Sequence, residues 1–575
     1  MVGLKKFQEG MSSDDIEEKL KYVRQVVDVA KELGRDETIN TLIPFLNDWC
    51  PENDDEALTE LAKEVYHLKE VFSADDMKYV LPILKHLATT EEVVVREAAV
   101  DSINRIVEDM SPAVVRDELI SVIDGLFKDE WFTPRVSSAS LVAKVYAKIS
   151  LLSGSEDVSE PLKNLRDGYF NLCRDDTPMV RRAAAKNMSA VFAACADEFV
   201  PAFVAQYEDY YNSDDEATKL TLMSFTKELL HRCKDEGDRA KILTIFQNSL
   251  EARSYKVREA AALEVGAVAT ILGDAEFLRL LLEPYVELLK DNNSEVKKNA
   301  ISQMTPLAKC LAKDTFLQKL YQFLPSLATD ANHEIAEQVT SVVIDIGPIF
   351  PDKVSALFDL LLQAPSPEVR LLLLRRLDEV ALTPALVNRV VLEESLDGPD
   401  WRVREEVAKH MAYLMTAMKD TPELAKLLDI YLRLFVDAVS RVRETCRLSV
   451  PKIIAALGAD FAFEKIISAL EKQYEESSSY LLKFNILYTY ELVVRALPAD
   501  ARVAPLLATL VTEMNNSVPN IRFISCRILS NLSDVLPADV KTKAIAKMTE
   551  LQKDVDRDVR FYAASGLKKL AGESA

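Results

Sequence analysis

Apolar and small residues recur at three- and four-residue spacing along most of the chain, a pattern typical of amphipathic helices. One such stripe consists of Val180, Ala183, Ala184, Met188, Val191, Phe192 and Cys195. Another consists of Met77, Val80, Leu81, Leu84 and Leu87. No alternating apolar run bounded by turn residues predicts a strand. The expected fold class is therefore all-α.

A turn motif, Val-Arg followed by small residues, divides the helices into pairs. Its clear copies are Val95-Arg96, Val180-Arg181, Val257-Arg258, Val369-Arg370, Val403-Arg404, Val442-Arg443 and Val559-Arg560. Weaker copies are Glu18-Lys19, Ala57-Leu58, Pro134-Arg135, Thr218-Lys219, Val296-Lys297, Ile335-Ala336, Leu482-Lys483 and Ile521-Arg522, which makes 15 copies roughly 39 residues apart. A helix-pair period near 40 is typical of HEAT repeats, so we expect an α-solenoid of about 15 repeats.

Composition limits the classes of partner. The 575 residues carry a net charge of −22, which argues against general affinity for nucleic acid or anionic membrane. Apolar stretches are too short for membrane insertion. The cysteines are scattered without a CxxC pair: Cys50, Cys173, Cys195, Cys233, Cys310, Cys446 and Cys526. We expect reduced thiols in a cytoplasmic protein, a nuclear protein, or one found in both compartments.

The sequence offers no catalytic or cofactor-binding constellation. It lacks the phosphate-binding loop GxxxxGK[ST], the dinucleotide fingerprint GxGxxG and the zinc motif HExxH. His231 and Cys233 are close in sequence, but no second pair of residues at the spacing of metal ligands accompanies them. We therefore expect no enzyme activity, no cofactor and no metal site.

The turns have different sequences, and several distinctive turn segments follow one another along the chain in a fixed order. This order is the basis of a resemblance to a known family. The segments are WFTPR (131–135), DDTPMVRR (175–182), TDAN (329–332), WRVR (401–404), IRF (521–523) and DVDRDVRF (554–561). In these segments the chain resembles the scaffolding A subunit family of protein phosphatase 2A, which also has fifteen repeats. The resemblance implies a right-handed superhelical horseshoe without catalytic residues of its own.

The resemblance also implies two sets of contact residues on the turns. A protein phosphatase 2A-type catalytic subunit is expected to contact Trp401, Arg402, Ser440, Tyr480, Leu481, Asn520 and Asp556. One of several variable regulatory subunits is expected to contact Glu92, Trp131, Phe132, Asp175, Pro178, Met179, Arg182, Tyr255 and Lys256. Aromatic and arginine side chains on rigid turns suit protein interfaces because they lose little entropy on binding.

Some turn residues have a structural interpretation instead. The recurring arginines Arg96, Arg181, Arg258, Arg404, Arg443 and Arg560 are expected to form a ladder by pairing with turn aspartates such as Asp176, Asp397, Asp437 or Asp554. Repeat proteins bind partners through residues that differ from one repeat to the next. Arg182 and Arg402 do not recur, so we expect them to contact partner proteins. Trp131 and Trp401 could instead cap a groove between helices, and Met179 could tuck under its turn.

The expected organisation is one solenoid over residues 1–575 with two arms. Residues 13–330 (repeats 1–8) form the arm that holds the regulatory subunit, and residues 399–575 (repeats 11–15) form the arm that holds the catalytic subunit. Two successive motif spacings of 34 residues mark repeats 9 and 10, residues 331–398, as shortened, and we hypothesise a hinge there. Ser440-Arg441 departs from the family pattern, so we expect the catalytic-subunit contact at this turn to be rebuilt or weakened.

Two other functions remain open at this point. A transport or adaptor protein of importin or adaptin type would have the same generic repeat and would grip cargo with its concave helices. The turn segments DDTPMVRR and WFT do not follow from that function. An enzyme would need a catalytic constellation that the sequence does not contain.

Overall fold

The computed structural model describes residues 4–213, 215–362, 367–380, 382–392 and 400–571, and these ranges contain helices and turns but no β-strand. The helices follow one another in pairs, as expected for an α-solenoid of HEAT repeats. The chain divides into two compact units, Met1–Ala312 and Lys313–Ala575. The boundary lies 18 residues before residue 330, where the sequence pattern predicts the end of the first arm.

In the first unit the longer helices are Leu4–Met11, Ile16–Val23, Val26–Leu33, Ile43–Trp49, Asp55–His67, Leu81–Leu87, Val93–Asp109, Ile120–Phe127, Phe132–Ser150, Ser159–Cys173, Pro178–Ala194, Val200–Asn212, Glu216–Arg232, Glu236–Leu250, Tyr255–Leu280, Leu282–Leu288, Ser294–Ser302 and Met304–Cys310. Shorter helical turns are Arg35–Glu37, Thr38–Leu42, Cys50–Glu52, Leu68–Glu70, Asp75–Val80, Pro112–Val114, Val115–Leu119 and Asp197–Phe199. Tyr255–Leu280 is two helices that meet at Gly273, whose φ is 74°.

In the second unit the longer helices are Lys313–Lys319, His333–Ile346, Pro351–Leu361, Pro367–Arg375, Trp401–Ala417, Glu423–Leu434, Ser440–Leu457, Ser468–Glu476, Tyr480–Ala496, Val503–Glu513, Pro519–Asn531, Ala538–Leu551 and Arg557–Ala571. Shorter helical turns are Tyr321–Phe323, Leu324–Ala328, Leu377–Glu379, Pro384–Val387, Asn388–Leu392, Ala459–Phe461 and Ala462–Ile467.

The second helices of successive pairs form a packed layer within each unit. Phe132–Ser150 packs on Pro178–Ala194 in the first unit, and Pro519–Asn531 packs on Arg557–Ala571 in the second. Their apolar stripes are buried, as at Val180, where no side-chain surface is exposed. The second unit has a continuous apolar core that extends from Leu374 to Leu570. This layer holds the turns that precede the second helices in a repeating arrangement.

The irregular motif spacings have local causes. The 46-residue step from Arg135 to Arg181 contains a surface loop between Ser150 and Ser159, in which Leu151 is 70% exposed. In the region of the 34-residue steps, the second helix Pro367–Arg375 has only 9 residues, against 17 in Trp401–Ala417. Residues 363–366, 381 and 393–399, including the expected ladder member Asp397, lie outside the described residues, and the hinge stays a hypothesis.

Candidate protein-binding turns

All sixteen expected contact residues lie at the same point of their repeats, the turn before the second helix or that helix's first residues. In the first unit Glu92 and Trp131 are N-caps, while Phe132, Pro178 and Tyr255 each begin a helix. In the second unit Trp401, Ser440 and Tyr480 begin helices, Asn520 is a second residue and Asp556 directly precedes Arg557–Ala571. Each set therefore forms a row along one unit.

The row in the first unit exposes large apolar side chains. Trp131 is 54% exposed, Met179 is 51% exposed and Tyr255 is 44% exposed. The rings of Trp131 and Phe132 lie 5.8 Å apart, so the two aromatic side chains form one patch. Glu92, Pro178 and Lys256 are also exposed. Met179 does not tuck under its own turn.

The row in the second unit is mixed. Tyr480 and Leu481 are 44% and 45% exposed. Trp401 is half-buried and packs against the apolar core, so it fills a groove as well as facing the surface. The Arg402 guanidinium carbon lies 4.9 Å from the Trp401 ring centroid, an arrangement in which a cation and an aromatic face attract each other.

The polar residues of the row in the second unit differ in exposure and in hydrogen bonding. Ser440 and Asn520 are exposed. Asp556 accepts hydrogen bonds from the amides of Asp558, at 2.9 Å, and Val559, at 3.1 Å. Because those amides begin the last helix, the carboxylate of Asp556 is already used as a helix cap.

Arg182 has a structural contact that the sequence interpretation did not include. Its guanidinium donates to both carboxylate oxygens of Asp215, with a shortest distance of 3.0 Å, although its side chain stays 53% exposed. Asp215 caps the next second helix by accepting from the amide of Ala217. Arg182 therefore bridges two neighbouring turns whether or not a partner also contacts it.

The recurring arginine clamps the turn that precedes its own helix. In Arg258 one terminal nitrogen, Nη1, donates to the carbonyl oxygens of Ala252 and Arg253, at 2.7 and 3.1 Å. Its Nε and Nη2 donate to Asp291 in the next turn, at 2.7 and 3.1 Å. Asp291 also accepts from the amide of Asn293 in its own turn. One side chain thus joins two successive turns.

Among the arginines at the second position of the motif, this bidentate link occurs in four places in the described residues. The pairs are Arg135–Asp175, Arg258–Asp291, Arg404–Asp437 and Arg522–Asp554. Two of these arginines, Arg135 and Arg522, belong to the weaker motif copies. Asp175, expected to contact a regulatory subunit, has both carboxylate oxygens engaged by Arg135 and by the Thr177 amide.

The other predicted ladder arginines differ from the expectation, because their described contacts are to backbone carbonyls and not to an aspartate side chain. Arg181 donates to the carbonyls of Asp175 and Asp176, and Arg96, Arg443 and Arg560 make the same pair of contacts in their own turns. The turn after Arg443 has Ser477 where a carboxylate would be needed. Arg560 lies in Arg557–Ala571, and the described residues include no turn after that helix.

Three of the linking aspartates, Asp175, Asp291 and Asp554, have a lowered pKa, which favours their charged form. Burial raises the pKa of Asp291, but hydrogen bonds from Arg258 and from the Asn293 amide outweigh it and hold that pKa below the ordinary 3.8. Asp175 has a lowered pKa for the same reasons, with Arg135 and Thr177 as donors. For Asp554, the hydrogen bond from Arg522 is the largest cause of a lowered pKa. These links therefore persist at neutral pH.

Four exposed apolar residues on or beside the turns were missed by sequence reasoning. Val93 and Val94 are 47% and 56% exposed, Val436 is 50% exposed and Val555 is 93% exposed. A valine between turn aspartates, as in DVDRDVRF, is the sequence signal that could have identified Val555. These valines extend the apolar surface of both rows.

The described residues contain no group of three or more His, Cys, Asp or Glu that could hold a metal ion. Within the same ranges, no helix combines the length and apolar character that crossing a bilayer requires. All seven cysteines are free, and burial raises the pKa of Cys50, Cys173 and Cys526 to about 12. Those three thiols stay protonated at neutral pH and act as small apolar groups.

Curated proteins with related sequences are phosphatase subunits. A segment of 181 residues is 35% identical to a protein phosphatase 2A scaffold subunit of Dictyostelium discoideum, covering 31% of this chain and 30% of that protein. A segment of 266 residues is 29% identical to the A-type regulatory subunit of protein phosphatase PP2A from Schizosaccharomyces pombe, covering 46% and 44%. The matched segments thus span less than half of these relatives. No protein-family model matches the chain.

Solved structures share the fold over a greater length. A structure of the Kap95:Nup1 complex superposes with a TM-score of 0.51 at 12% identity, covering 98% of this chain and 76% of that one. At this identity the likeness supports the solenoid fold and carries no functional information.

Proposed function

We propose that this chain is a non-catalytic scaffold of a protein serine/threonine phosphatase 2A-type holoenzyme, located in the cytoplasm and the nucleus. The row in the second unit holds the catalytic subunit, and the row in the first unit holds a variable regulatory subunit. The observation that carries the proposal is the repetition of exposed aromatic and apolar side chains at the starts of several second helices. Trp131, Met179, Tyr255, Tyr480 and Leu481 all occupy this position.

The physical chemistry of the rows favours protein partners. Each exposed ring projects from the first turn of a packed helix, so its backbone is ordered before binding and little entropy is lost. Tryptophan, tyrosine and arginine are the residues that most often dominate binding energy at protein interfaces. A row of turns offers several separate contacts, which suits a large partner better than a small ligand.

We infer the kind of partner from the names of the related proteins. The relatives are called scaffold and regulatory subunits of protein phosphatase 2A. A scaffold contributes to catalysis through proximity, because two proteins held on one frame meet at a high effective concentration. In this role the chain needs no titratable catalytic group of its own.

Binding of a purified protein phosphatase 2A-type catalytic subunit tests the proposal. We expect tight binding by the full chain and at least tenfold weaker binding by Trp401→Ala, Arg402→Ala, a loss of about 1.4 kcal/mol or more. Because Trp401 also packs on the core, Tyr480→Ala, Leu481→Ala provides a second test with less structural disturbance. The matched control is Lys419→Ala, Asp420→Ala, two exposed residues beyond the other end of Trp401–Ala417.

The outcomes separate the candidate functions. Tight binding that neither double variant weakens would keep the scaffold role and contradict the assigned contacts. No binding at all would contradict the proposal and favour the adaptor of importin or adaptin type. The row in the first unit is tested in the same way with Trp131→Ala, Met179→Ala, which should weaken binding of a regulatory subunit while binding of the catalytic subunit stays unchanged.

A further inference from the structure

The second helices of the last four repeats carry a positive charge that contrasts with the rest of the chain. Twelve Arg or Lys and three Asp or Glu lie in Ser440–Leu457, Tyr480–Ala496, Pro519–Asn531 and Arg557–Ala571, a net charge of +9. The first helices of the same repeats, Glu423–Leu434, 459–476, Val503–Glu513 and Ala538–Leu551, have seven basic and ten acidic residues. The whole chain has a net charge of −22.

Arginine and tyrosine side chains alternate across these four helices, and we name Arg447, Tyr488, Arg527 and Tyr562 the arginine–tyrosine stripe. The guanidinium carbons of Arg447 and Arg527 lie 4.9 and 6.0 Å from the Tyr488 ring centroid. Arg527 also lies 6.0 Å from the Tyr562 ring centroid and donates a 3.2 Å hydrogen bond to the Tyr488 hydroxyl. Each helix therefore contributes one member that contacts the next.

The stripe lies apart from the row of turns. Tyr480 begins its helix and belongs to the row, whereas Tyr488 follows eight residues later. At 1.5 Å per residue the two positions are about 12 Å apart along the helix axis. A partner on the stripe would therefore occupy the middle of the second helices and leave the turns accessible.

The positive charge of the stripe is only partly balanced. Arg527 is exposed and forms no ion pair within 4 Å with a carboxylate of the described residues. Arg447 lies 3.6 Å from Glu444 and donates to Asn485. The other nearby carboxylate, Glu491, interacts electrostatically with both arginines and accepts a 3.1 Å hydrogen bond from Asn531. The two arginines that face the Tyr488 ring repel each other, and Glu491 supplies one negative charge for the pair. A further carboxylate from a partner would relieve the remaining repulsion.

The ring faces argue against nucleic acid as the occupant. Bases bind aromatic platforms by stacking on an open ring face. Tyr488 has arginine on its ring, and Tyr562 already stacks on Phe523 with ring centroids 5.3 Å apart. A long polyanion would also meet the net negative charge of the chain. A short acidic segment avoids both obstacles.

We propose that the arginine–tyrosine stripe binds an acidic peptide segment of a partner protein. Glutamate or aspartate side chains of the segment accept hydrogen bonds from Arg447 and Arg527, and an aromatic or aliphatic side chain packs beside Tyr488 and Tyr562. Charge-assisted bonds from arginine supply strength, and the tyrosines supply apolar contact. This site does not depend on phosphatase subunits as partners.

The test uses the full chain and a fluorescein-labelled peptide of four Glu-Glu-Phe repeats, followed by fluorescence anisotropy. We expect saturable binding that weakens with added salt, because exposed charges are screened. Arg447→Gln, Arg527→Gln should raise the Kd at least tenfold. The matched control, Lys465→Gln, Lys472→Gln, removes two positive charges from exposed positions between Ala462 and Glu476 and should change the Kd less than twofold.

Arg447 is largely buried, so Arg527→Gln alone serves as the variant that leaves packing intact, with an expected Kd at least threefold higher. A peptide of four Lys-Lys-Phe repeats should not bind. Absence of saturable binding up to 1 mM of the acidic peptide, or equal weakening by the control variant, would overturn the proposal. If a twelve-residue oligothymidylate bound more tightly than the acidic peptide, with the same dependence on Arg527, the proposal would be overturned and nucleic acid would be the ligand of the stripe.

Discussion

Three buried tyrosines join the two helices of their repeats by the same hydrogen bond. The hydroxyls of Tyr169, Tyr285 and Tyr431 donate to a backbone carbonyl 15 residues later, at 2.7, 2.8 and 2.9 Å. All three side chains are fully buried, and burial raises the pKa of each well above its usual 10. The neutral hydroxyl therefore remains a donor at any physiological pH. The bond fixes how the two helices of a repeat face each other.

Removal of one such hydroxyl should destabilise the second unit. In Tyr431→Phe, the Cys446 carbonyl and the Ser449 hydroxyl lose a buried partner. We expect a loss of about 1 to 3 kcal/mol in the free energy of unfolding, measured by urea denaturation. The control Tyr480→Phe changes an exposed ring and should have almost no effect. Equal stability of the two variants would contradict a role for the hydroxyl in stability.

The Arg522–Asp554 link predicts a defined dependence on pH. The pKa of Asp554 is lowered from 3.8 on folding, mainly by the hydrogen bond from Arg522. A group with a lower pKa in the folded state contributes stability that is fully present above its unfolded pKa and is lost as the pH falls through its folded pKa. Both side chains are largely buried, at 12% and 9% exposure, so solvent screening is weak.

We expect Asp554→Asn to lower the free energy of unfolding at pH 7 by about 1.5 to 3 kcal/mol. The difference from the unmodified chain should shrink as the pH falls below 3.8, because the carboxylate of the unfolded chain is protonated first and the folded carboxylate only at its lower pKa. Chemical denaturation at pH 7 and in a series below about pH 4 measures both effects. Asp420→Asn, at an exposed position, is the control. A difference that stays constant over this pH range would contradict the link as its origin.

At the scale of helices, glycine ends some second helices where the chain enters the next repeat. Gly458 lies between Ser440–Leu457 and Ala459–Phe461 with φ of 90°, and Gly273 has φ of 74° between two helices. The ψ angle is 164° at Gly458 and 174° at Gly273, and this combination of positive φ and extended ψ is essentially restricted to glycine and costs other residues about 1 to 3 kcal/mol. The glycines therefore set the angle at which successive repeats follow each other.

Two alanine substitutions should have opposite effects. Gly458→Ala is expected to lower the free energy of unfolding by about 1 to 3 kcal/mol because φ is positive there. Gly125→Ala lies inside Ile120–Phe127, where a methyl group would meet only the end of the Lys85 side chain at 3.5 Å. It should stabilise by about 0.4 to 1 kcal/mol, since alanine restricts the unfolded chain. Thermal unfolding of both variants checks the difference in sign.

The helical pairs could be predicted from sequence because the motif and the apolar stripes recur in many units. The links between turns could be predicted only in part, because each depends on an aspartate in a different repeat. Arg135 and Arg522 were weak motif copies, yet both form a link, whereas Arg443 does not because Ser477 follows it. The exposure of Val555 and the half-burial of Trp401 depend on neighbouring helices, which the motif does not specify.

At the scale of the whole molecule, each compact unit is assigned a different partner. Residues Met1–Ala312 carry the row proposed for the regulatory subunit, and the row proposed for the catalytic subunit lies within Lys313–Ala575. Repeats contact mainly their neighbours, so binding energy at one row orders the repeats beside it first. Occupation of the second-unit row should therefore leave the turns of the first unit little changed.

Hydrogen exchange of the full chain, alone and bound to a protein phosphatase 2A-type catalytic subunit, distinguishes the two rows. We predict slower exchange in peptides that contain Trp401, Ser440, Tyr480, Asn520 and Asp556. We also predict little change in the first five repeats, which end near Ala194. Uniform protection along the chain, or protection confined to the turns around Trp131 and Met179, would contradict the assignment of the catalytic subunit to the second unit.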